Sequence, residues 1–458
     1  MIIARRSIER SILPGGKLLR FVALLAMAGM AFGCTESQRP EASGKGTIRA
    51  IHAAPAVADV TFLIEERSLG TLSYKSSTST QEFDDLTYSF NFDARRPGQT
   101  ALSRIATESV DIEPDMDYVF VLTGSLASPS VLVWESEERQ WEGTETTAEL
   151  SAGHLSPGLG AIDVYFAEPG TAPAAGSARG TLSFGERLPA FEVESGGYRL
   201  TVTEAGNPAA VLFRSTPRDY NARTSTLLTV QDADPSITSN LSVRRIDQSG
   251  NTAELGDTSF PPTRRFFNSA FGSGTMDVYV GDDFVTPLVS NLAYGTVSAD
   301  VPVPAGESEY TYTAAGNPGA ILVEDEATVA ANTRGTNFVT GEPGDLDITP
   351  FIDDRRPITS FSKVRINQVS AEFSLVDVYL LPPGADIADR APNLARLATT
   401  TSSGYVHLEP GSYEITVTES GEKTVLAGPL ALTLASGDIA ETAILDTADP
   451  NVLSIVSY

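Results

Sequence analysis

The pentapeptide Ile162-Asp163-Val164-Tyr165-Phe166 is written four times in this chain of 458 residues. Its relatives are Ala58-Asp59-Val60-Thr61-Phe62, Met276-Asp277-Val278-Tyr279-Val280 and Val376-Asp377-Val378-Tyr379-Leu380. The four aspartates lie 104, 114 and 100 residues apart, the spacing of whole small domains rather than of solenoid repeats. Any fold proposed for the chain must therefore be a unit of about 100 residues used four times. Each pentapeptide alternates strictly. Ile162, Val164 and Phe166 share one face, and the Asp and the Tyr (Thr61 in the first copy) point to the other. Period two predicts a strand with one apolar face and an outward Asp/Tyr face.

The rest of each copy follows in a fixed order. An extended segment opens it: Thr47–His52, Ala148–His154, Arg264–Asn268 and Lys363–Asn367. About 30 residues after the Asp-Val strand comes an alternating run, as in Tyr198-Arg199-Leu200-Thr201-Val202-Thr203 or Tyr413-Glu414-Ile415-Thr416-Val417-Thr418, degenerate in the first copy at Tyr88–Phe92. A turn then reverses the chain at Ala205-Gly206-Asn207-Pro208, Ala315-Gly316-Asn317-Pro318 or Ser420-Gly421-Glu422-Lys423, because Gly permits positive φ and Pro cannot pair in a central strand. Hairpin turns at Ala127-Ser128-Pro129, Ala233-Asp234-Pro235 and Ala448-Asp449-Pro450 close three copies, and Phe351–Asp354 with Pro357 is the expected match in the third. Helical periodicity is confined to Ala391–Leu397 and Glu324–Ala331. Seven or so short strands per copy, separated by Gly and Pro turns, predict an all-β chain of four tandem Ig-like antiparallel β-sandwiches. The boundaries are 46–143 (the diverged copy), 144–258, 259–361 and 362–458. The joins Glu135–Thr147, Asp247–Thr263 and Asp354–Ser362 are polar, which predicts beads on a string with limited bending.

The N-terminus places the chain. Arg5, Arg6, Arg10, Lys17 and Arg20 precede the uncharged run 21–32, FVALLAMAGMAF, too short for a comfortable membrane span. The run ends at Ala31-Phe32-Gly33-Cys34, and Cys34 is the single cysteine of the chain. This resembles a bacterial lipobox, which implies a lipoprotein signal peptide over 1–33 and a diacylglyceryl and acyl (palmitate) anchor on Cys34, followed by a flexible tether over 34–45. Thr35 in place of aspartate favours the outer membrane, on its periplasmic side or at the cell surface. Without residues 1–33 the chain carries 27 basic and 58 acidic residues. Such acidity argues against nucleic acid as a partner, since binding needs cations that displace counterions from phosphate. One cysteine and three histidines leave no disulfide within the chain and no zinc site of the Cys/His kind.

The repeated Asp163, Asp277 and Asp377, with Tyr165, Tyr279 and Tyr379, are the first candidates for ligand contact. The same aspartates could instead bond nearby backbone N–H groups at a strand start, and the tyrosines could pack under a loop. The turns holding Asp282-Asp283, Asp345-Leu346-Asp347 and Asp353-Asp354 could begin a Ca²⁺ site, although none has EF-hand order. His52 and His154 occupy equivalent places, with Asn268 and Asn367 there or nearby in the later copies, so they read as loop braces rather than catalytic bases. No G-x-S-x-G, H-E-x-x-H, P-loop or G-x-G-x-x-G pattern is present. No catalytic residue is nominated.

The elements I-R-x-I-H-A-A-P, A-D-V and G-x-Y-x-[IL]-x-V-T resemble the bacterial domain of unknown function 4397. The fourth copy carries the likeness best, through Val376–Gly384, Ser403-Gly404-Tyr405 and Pro410–Tyr413. The resemblance implies an extracytoplasmic, Ig-like β-sandwich, often in tandem on exported proteins or lipoproteins, and no established activity. The expected function is a non-catalytic, lipid-anchored envelope module for binding, adhesion or spacing, meeting an envelope protein or glycan. The alternative is a glycan- or Ca²⁺-binding module with no other cofactor. A hydrolase would need a cleft at a domain join with convergent acids.

Overall fold

The computed structural model describes residues 43–458. The signal segment 1–33, Cys34 and most of the tether lie outside them. Among the described residues there is no helix, and the two stretches with helical periodicity are strands, Leu394–Ala398 and Ile321–Val329. Their apolar residues are spaced for a sheet edge that packs on one side only, a pattern that period counting over so few residues does not separate from a helix turn.

The first copy defines the plan. Its strands are β1 (Lys45–His52), β2 (Val60–Ile64), β3 (Arg67–Leu72), β4 (Gln81–Asp84), β5 (Thr87–Arg95), β6 (Leu102–Asp111), β7 (Met116–Gly124) and β8 (Pro129–Glu137). They form two four-stranded sheets, β4-β1-β7-β8 and β3-β2-β5-β6. The Asp-Val strand is β2, paired to β5, so the two most strongly alternating segments of the sequence lie side by side. The apolar sides of both sheets meet in a core built round Phe62, Phe90, Phe92 and Phe120, with Phe90 and Phe120 ring centroids 4.2 Å apart. Fully burying a side chain of this kind contributes about 1.5–3 kcal/mol.

The same two sheets recur over residues 147–254, 263–352 and 362–457, and the second copy adds the short strands Arg218–Tyr220 and Thr252–Glu254. The sheets are not wholly antiparallel. In every copy the opening strand runs parallel to the strand that matches β7: β1 to β7, Thr147–Leu155 to Ser225–Asp232, Thr263–Asn268 to Arg334–Glu342, and Ser362–Gln368 to Ile439–Leu445. In the third copy the closing hairpin turns at Glu342-Pro343-Gly344-Asp345, not at Phe351–Asp354, which ends the last strand. Gly344 takes φ +97° there, a conformation open to glycine.

The copies are not beads on a string. Gly44–Tyr458 is one compact unit. Copies one and two share an apolar interface of Ile51, Val121, Trp134, Leu155 and Ile246. Copies three and four share one of Phe267, Phe338, Val369 and Leu445. Copies two and three meet where Asn332 accepts from the Ser239 N–H at 2.7 Å and Arg334 Nε donates to the Ile237 carbonyl at 3.0 Å. The fourth copy returns to the first through the 2.7 Å pair Arg95–Glu409. The cycle is thus closed. The polar join 354–362 is part of it: Arg356 Nη1 donates to the Pro55 and Val57 carbonyls, and Phe361 and Ile358 pack on Ala58. Its charged residues all have partners: Arg355 pairs with Asp300 and Asp353, Asp354 with Lys363, and Arg356 with the two carbonyls.

Candidate functional site

The three later copies bury their Asp-Val strand on both sides. Asp163, Asp277 and Asp377 are each about 5% exposed, and Tyr165, Tyr279 and Tyr379 are equally covered. The expected outward Asp/Tyr face is therefore an inner one. Each carboxylate spans two neighbours. Asp163 accepts from the Gly206 N–H at 2.8 Å and from the Thr181 hydroxyl. Asp277 accepts from the N–H groups of Gly316 at 2.7 Å and Asn291 at 2.8 Å. Asp377 accepts from those of Gly421 at 2.9 Å and Arg396 at 2.7 Å. Asn291 and Arg396 sit at φ +55° and +56°, beside register shifts in the neighbouring strand, so the Asp satisfies an N–H that the bulge leaves unpaired. Tyr279 packs against Phe284, ring centroids 5.2 Å apart, and the Tyr379 hydroxyl takes a 2.8 Å bond from Lys423 Nζ. The first copy keeps the turn glycine, Gly98 at φ +70°, but not the bond: Asp59 is exposed, and the Gly98 N–H donates to Glu409 of the fourth copy at 3.2 Å.

Of the other candidates, Asp282 and Asp283 are exposed, with Asp283 capping the Val285 N–H at 2.8 Å. Asp345 and Asp347 are exposed in the third copy's hairpin, where Asp347 bonds the Ile348 N–H. The two turns belong to different sheets. Among the described residues no three His, Cys, Asp or Glu side chains gather as a metal site requires.

The histidines brace loops. His52 Nδ1 accepts from the Ala54 N–H while Nε2 bonds the Ala58 carbonyl at 3.0 Å, and His154 does the same with Ser156 and Gly160. Asn268 repeats the pattern with Ala270 and Gly274. In the fourth copy the equivalent is Gln368, bonding Ser370 and Phe373, and not Asn367, which faces Thr442 and Tyr458. A donor and an acceptor on one short side chain are what the loop needs, and imidazole or amide supplies both. Burial pushes His52 down to about 4, so it stays neutral.

The densest chemistry lies where copies three and four meet. The Asp353 carboxylate, wholly buried, bridges Arg365 at 2.6 Å, Arg355 at 2.8 Å and Arg265 at 2.9 Å. Arg265 and Arg365 also pair with Glu441, to which the Tyr405 hydroxyl donates. Burial alone would raise Asp353, but the charges of Arg365 and Arg265 outweigh it and hold the carboxyl below its ordinary value. Next to it Asp354 pairs with the buried Lys363 at 2.9 Å and accepts from Ser236 of the second copy. The ammonium of Lys75, in the first copy, meets Asp234 of the second at 2.7 Å. Arg356 lies 4.9 Å from the Tyr74 ring centroid. All four copies thus contribute ionic groups to one neighbourhood. Sequence reasoning passed over Arg265, Arg365, Glu441 and Tyr405. The available signal was the pair of basic residues, Lys363 and Arg365, alternating with Val364 and Ile366 in the opening strand.

Four copies of one eight-stranded plan, tied by buried ion pairs, define a tandem β-sandwich protein. The chain belongs to the family described as Domain of unknown function (DUF4397), whose model matches residues 46–165 and 263–379, more than half of the chain. Each matched stretch runs past one sandwich into the first two strands of the next, across the one–two and the three–four interface. No curated protein matches the chain. Among solved structures, the Bacillus anthracis TIE protein matches with 10% identity over 89% of this chain and 69% of that one, at a TM-score of 0.16 that carries no argument.

Proposed function

We propose that the chain is a non-catalytic, lipid-anchored protein of the cell envelope, held at the outer membrane through Cys34 and working as a binding, adhesion or spacing body. The observation that carries the reading is the order of parts. A basic segment, an apolar run and the single cysteine come first, and a short polar stretch separates that cysteine from Gly44, where the compact unit begins. A closed set of sandwiches suits such a role, since a body tied at every join transmits position better than a flexible string does. The test is membrane fractionation of cells making the wild-type chain and Cys34→Ala, with labelled palmitate as a second readout. The wild type should carry label and sediment with membrane, and Cys34→Ala should do neither. Unchanged membrane retention of Cys34→Ala would overturn the anchor. Protease treatment of intact cells then separates surface display from the periplasmic side.

A further inference from the structure

The one–two and three–four pairs are the same construction, which allows them to be compared position by position. Arg49 pairs with Val119 and Val119 with Trp134, as Arg265 pairs with Thr336 and Thr336 with Phe351. Two residues on from the aromatic ring stand Ser136 and Asp353. Three residues before the loop brace, His154 or Gln368, stand Ser151 and Arg365, whose strand partners are Leu227 and Glu441. In the three–four pair these places hold Arg265, Asp353, Arg365 and Glu441, which close on one another. In the one–two pair they hold Arg49, Ser136, Ser151 and Leu227, and a cleft of about 180 Å³ lies there instead.

A second guanidinium enters that cleft. Arg187 Nε donates to the Ser151 hydroxyl at 3.2 Å and Nη1 to the Ser136 hydroxyl at 3.3 Å, the two serines that replace Arg365 and Asp353. Among the described residues no carboxylate comes within 4.0 Å of Arg187. Burial and the nearby Arg49 both work against its charge, and Asp117 and Glu149 only partly support it. Arg49 is itself 3.6 Å from Asp117, and its buried Nε has no partner. At these places the one–two cleft therefore keeps two guanidiniums, Arg49 and Arg187, with Asp117 against Arg49 alone and no carboxylate that bridges both as Asp353 does in the other pair.

We propose that this cleft is a binding site for a small monocarboxylate, whose carboxylate bridges Arg49 and Arg187 as Asp353 bridges Arg265 and Arg365. The other walls carry Thr47, Thr226, the guanidinium of Arg139, which is paired with Glu145 and Glu192, and the carboxylates of Asp117, Glu137, Glu138 and Glu149. Those acids disfavour a multiply charged oxyanion and offer acceptors to hydroxyl groups, so the ligand class is a hydroxylated acid such as a uronic acid. The site stands whether or not the chain is lipid-anchored.

Titration calorimetry of the chain from Gly44 onward, the compact unit, with D-glucuronate and D-galacturonate tests it, with D-glucose and sulfate as controls. At least one uronate should bind saturably, and glucose and sulfate at least tenfold more weakly. Arg187→Gln should lose tenfold or more. Ser136→Asp should lose as much, because it places a carboxylate where the ligand's would lie. Circular dichroism of both variants checks folding, and either variant decides if the other fails to fold. The site is overturned if neither uronate saturates, if glucose or sulfate binds as well, or if the folded variants bind like the wild type.

Discussion

Asp277 and Gly316, 39 residues apart in sequence, are joined by a 2.7 Å hydrogen bond from the glycine N–H to the buried carboxylate. The same bond joins Asp163 to Gly206 and Asp377 to Gly421. Two separate repeats of the sequence, the Asp-Val strand and the Ala-Gly-Asn-Pro or Ser-Gly turn, are thus two ends of one contact. The first copy keeps the glycine as Gly98, but its Asp59 is exposed and the Gly98 N–H goes to Glu409 at 3.2 Å, so the contact is re-aimed at the fourth copy.

Removing the buried acceptor breaks two charge-assisted bonds, from the N–H groups of Gly316 and Asn291. Asp277→Ala should cost about 2–4 kcal/mol, for two charge-assisted bonds. Asp59→Ala should change stability by less than about 0.5 kcal/mol, being exposed. Denaturant unfolding of each variant measures both. Equal losses would show that the aspartates do not act through these bonds.

Acid should find His52. The unfolded chain takes up this proton near 6.5, while the folded one does so only near 4. Stability is therefore complete above about pH 6.5 and falls as pH drops towards 4, by on the order of 3 kcal/mol for this group. His52→Asn, which copies the neutral brace of Asn268, should flatten that part of the profile. Thermal melts of both proteins between pH 4 and 7 provide the check.

Asp353 titrates with the opposite history. Its folded value is held down, so its contribution is present above the unfolded value of about 3.9 and is lost as pH falls through the lower folded value. Asp353→Ala leaves Arg265 and Arg365 with only Glu441 in a buried place, at a cost of about 3–5 kcal/mol. Calorimetry should show the loss at pH 7 and a smaller difference from wild type once pH falls below the lowered folded value, where the wild-type carboxyl is itself protonated.

The one–two interface depends on a missing methyl group. A Cβ at Gly153 would lie 2.2 Å from the Trp134 ring, and the Trp134 indole N–H bonds the Gly185 carbonyl at 2.7 Å. Gly153→Ala must move the tryptophan. It should cost about 1–3 kcal/mol by overpacking and change the indole fluorescence.

The repeat, the strand order within each copy and the apolar face of each Asp-Val strand were legible in the residues. Period two and turn chemistry are local, and four copies made each element visible against the others. The second face of that strand was not legible. Asp163 and Tyr165 look outward by alternation, and only the folding back of the glycine turn and its neighbours over them puts them inside. In the fourth copy the loop brace is Gln368, one residue after Asn367, because an amide of either length satisfies the pattern and only the strand register tells them apart. The closed cycle of copies left still less trace. Arg356 meets the Pro55 carbonyl across 301 residues and Arg265 meets Glu441 across 176. The sequence by itself determined a sandwich fold repeated four times, because the alternation and turns of each copy are short-range. The tertiary structure alone decided which charges are buried and paired, because an ion pair depends on where two distant strands come to lie.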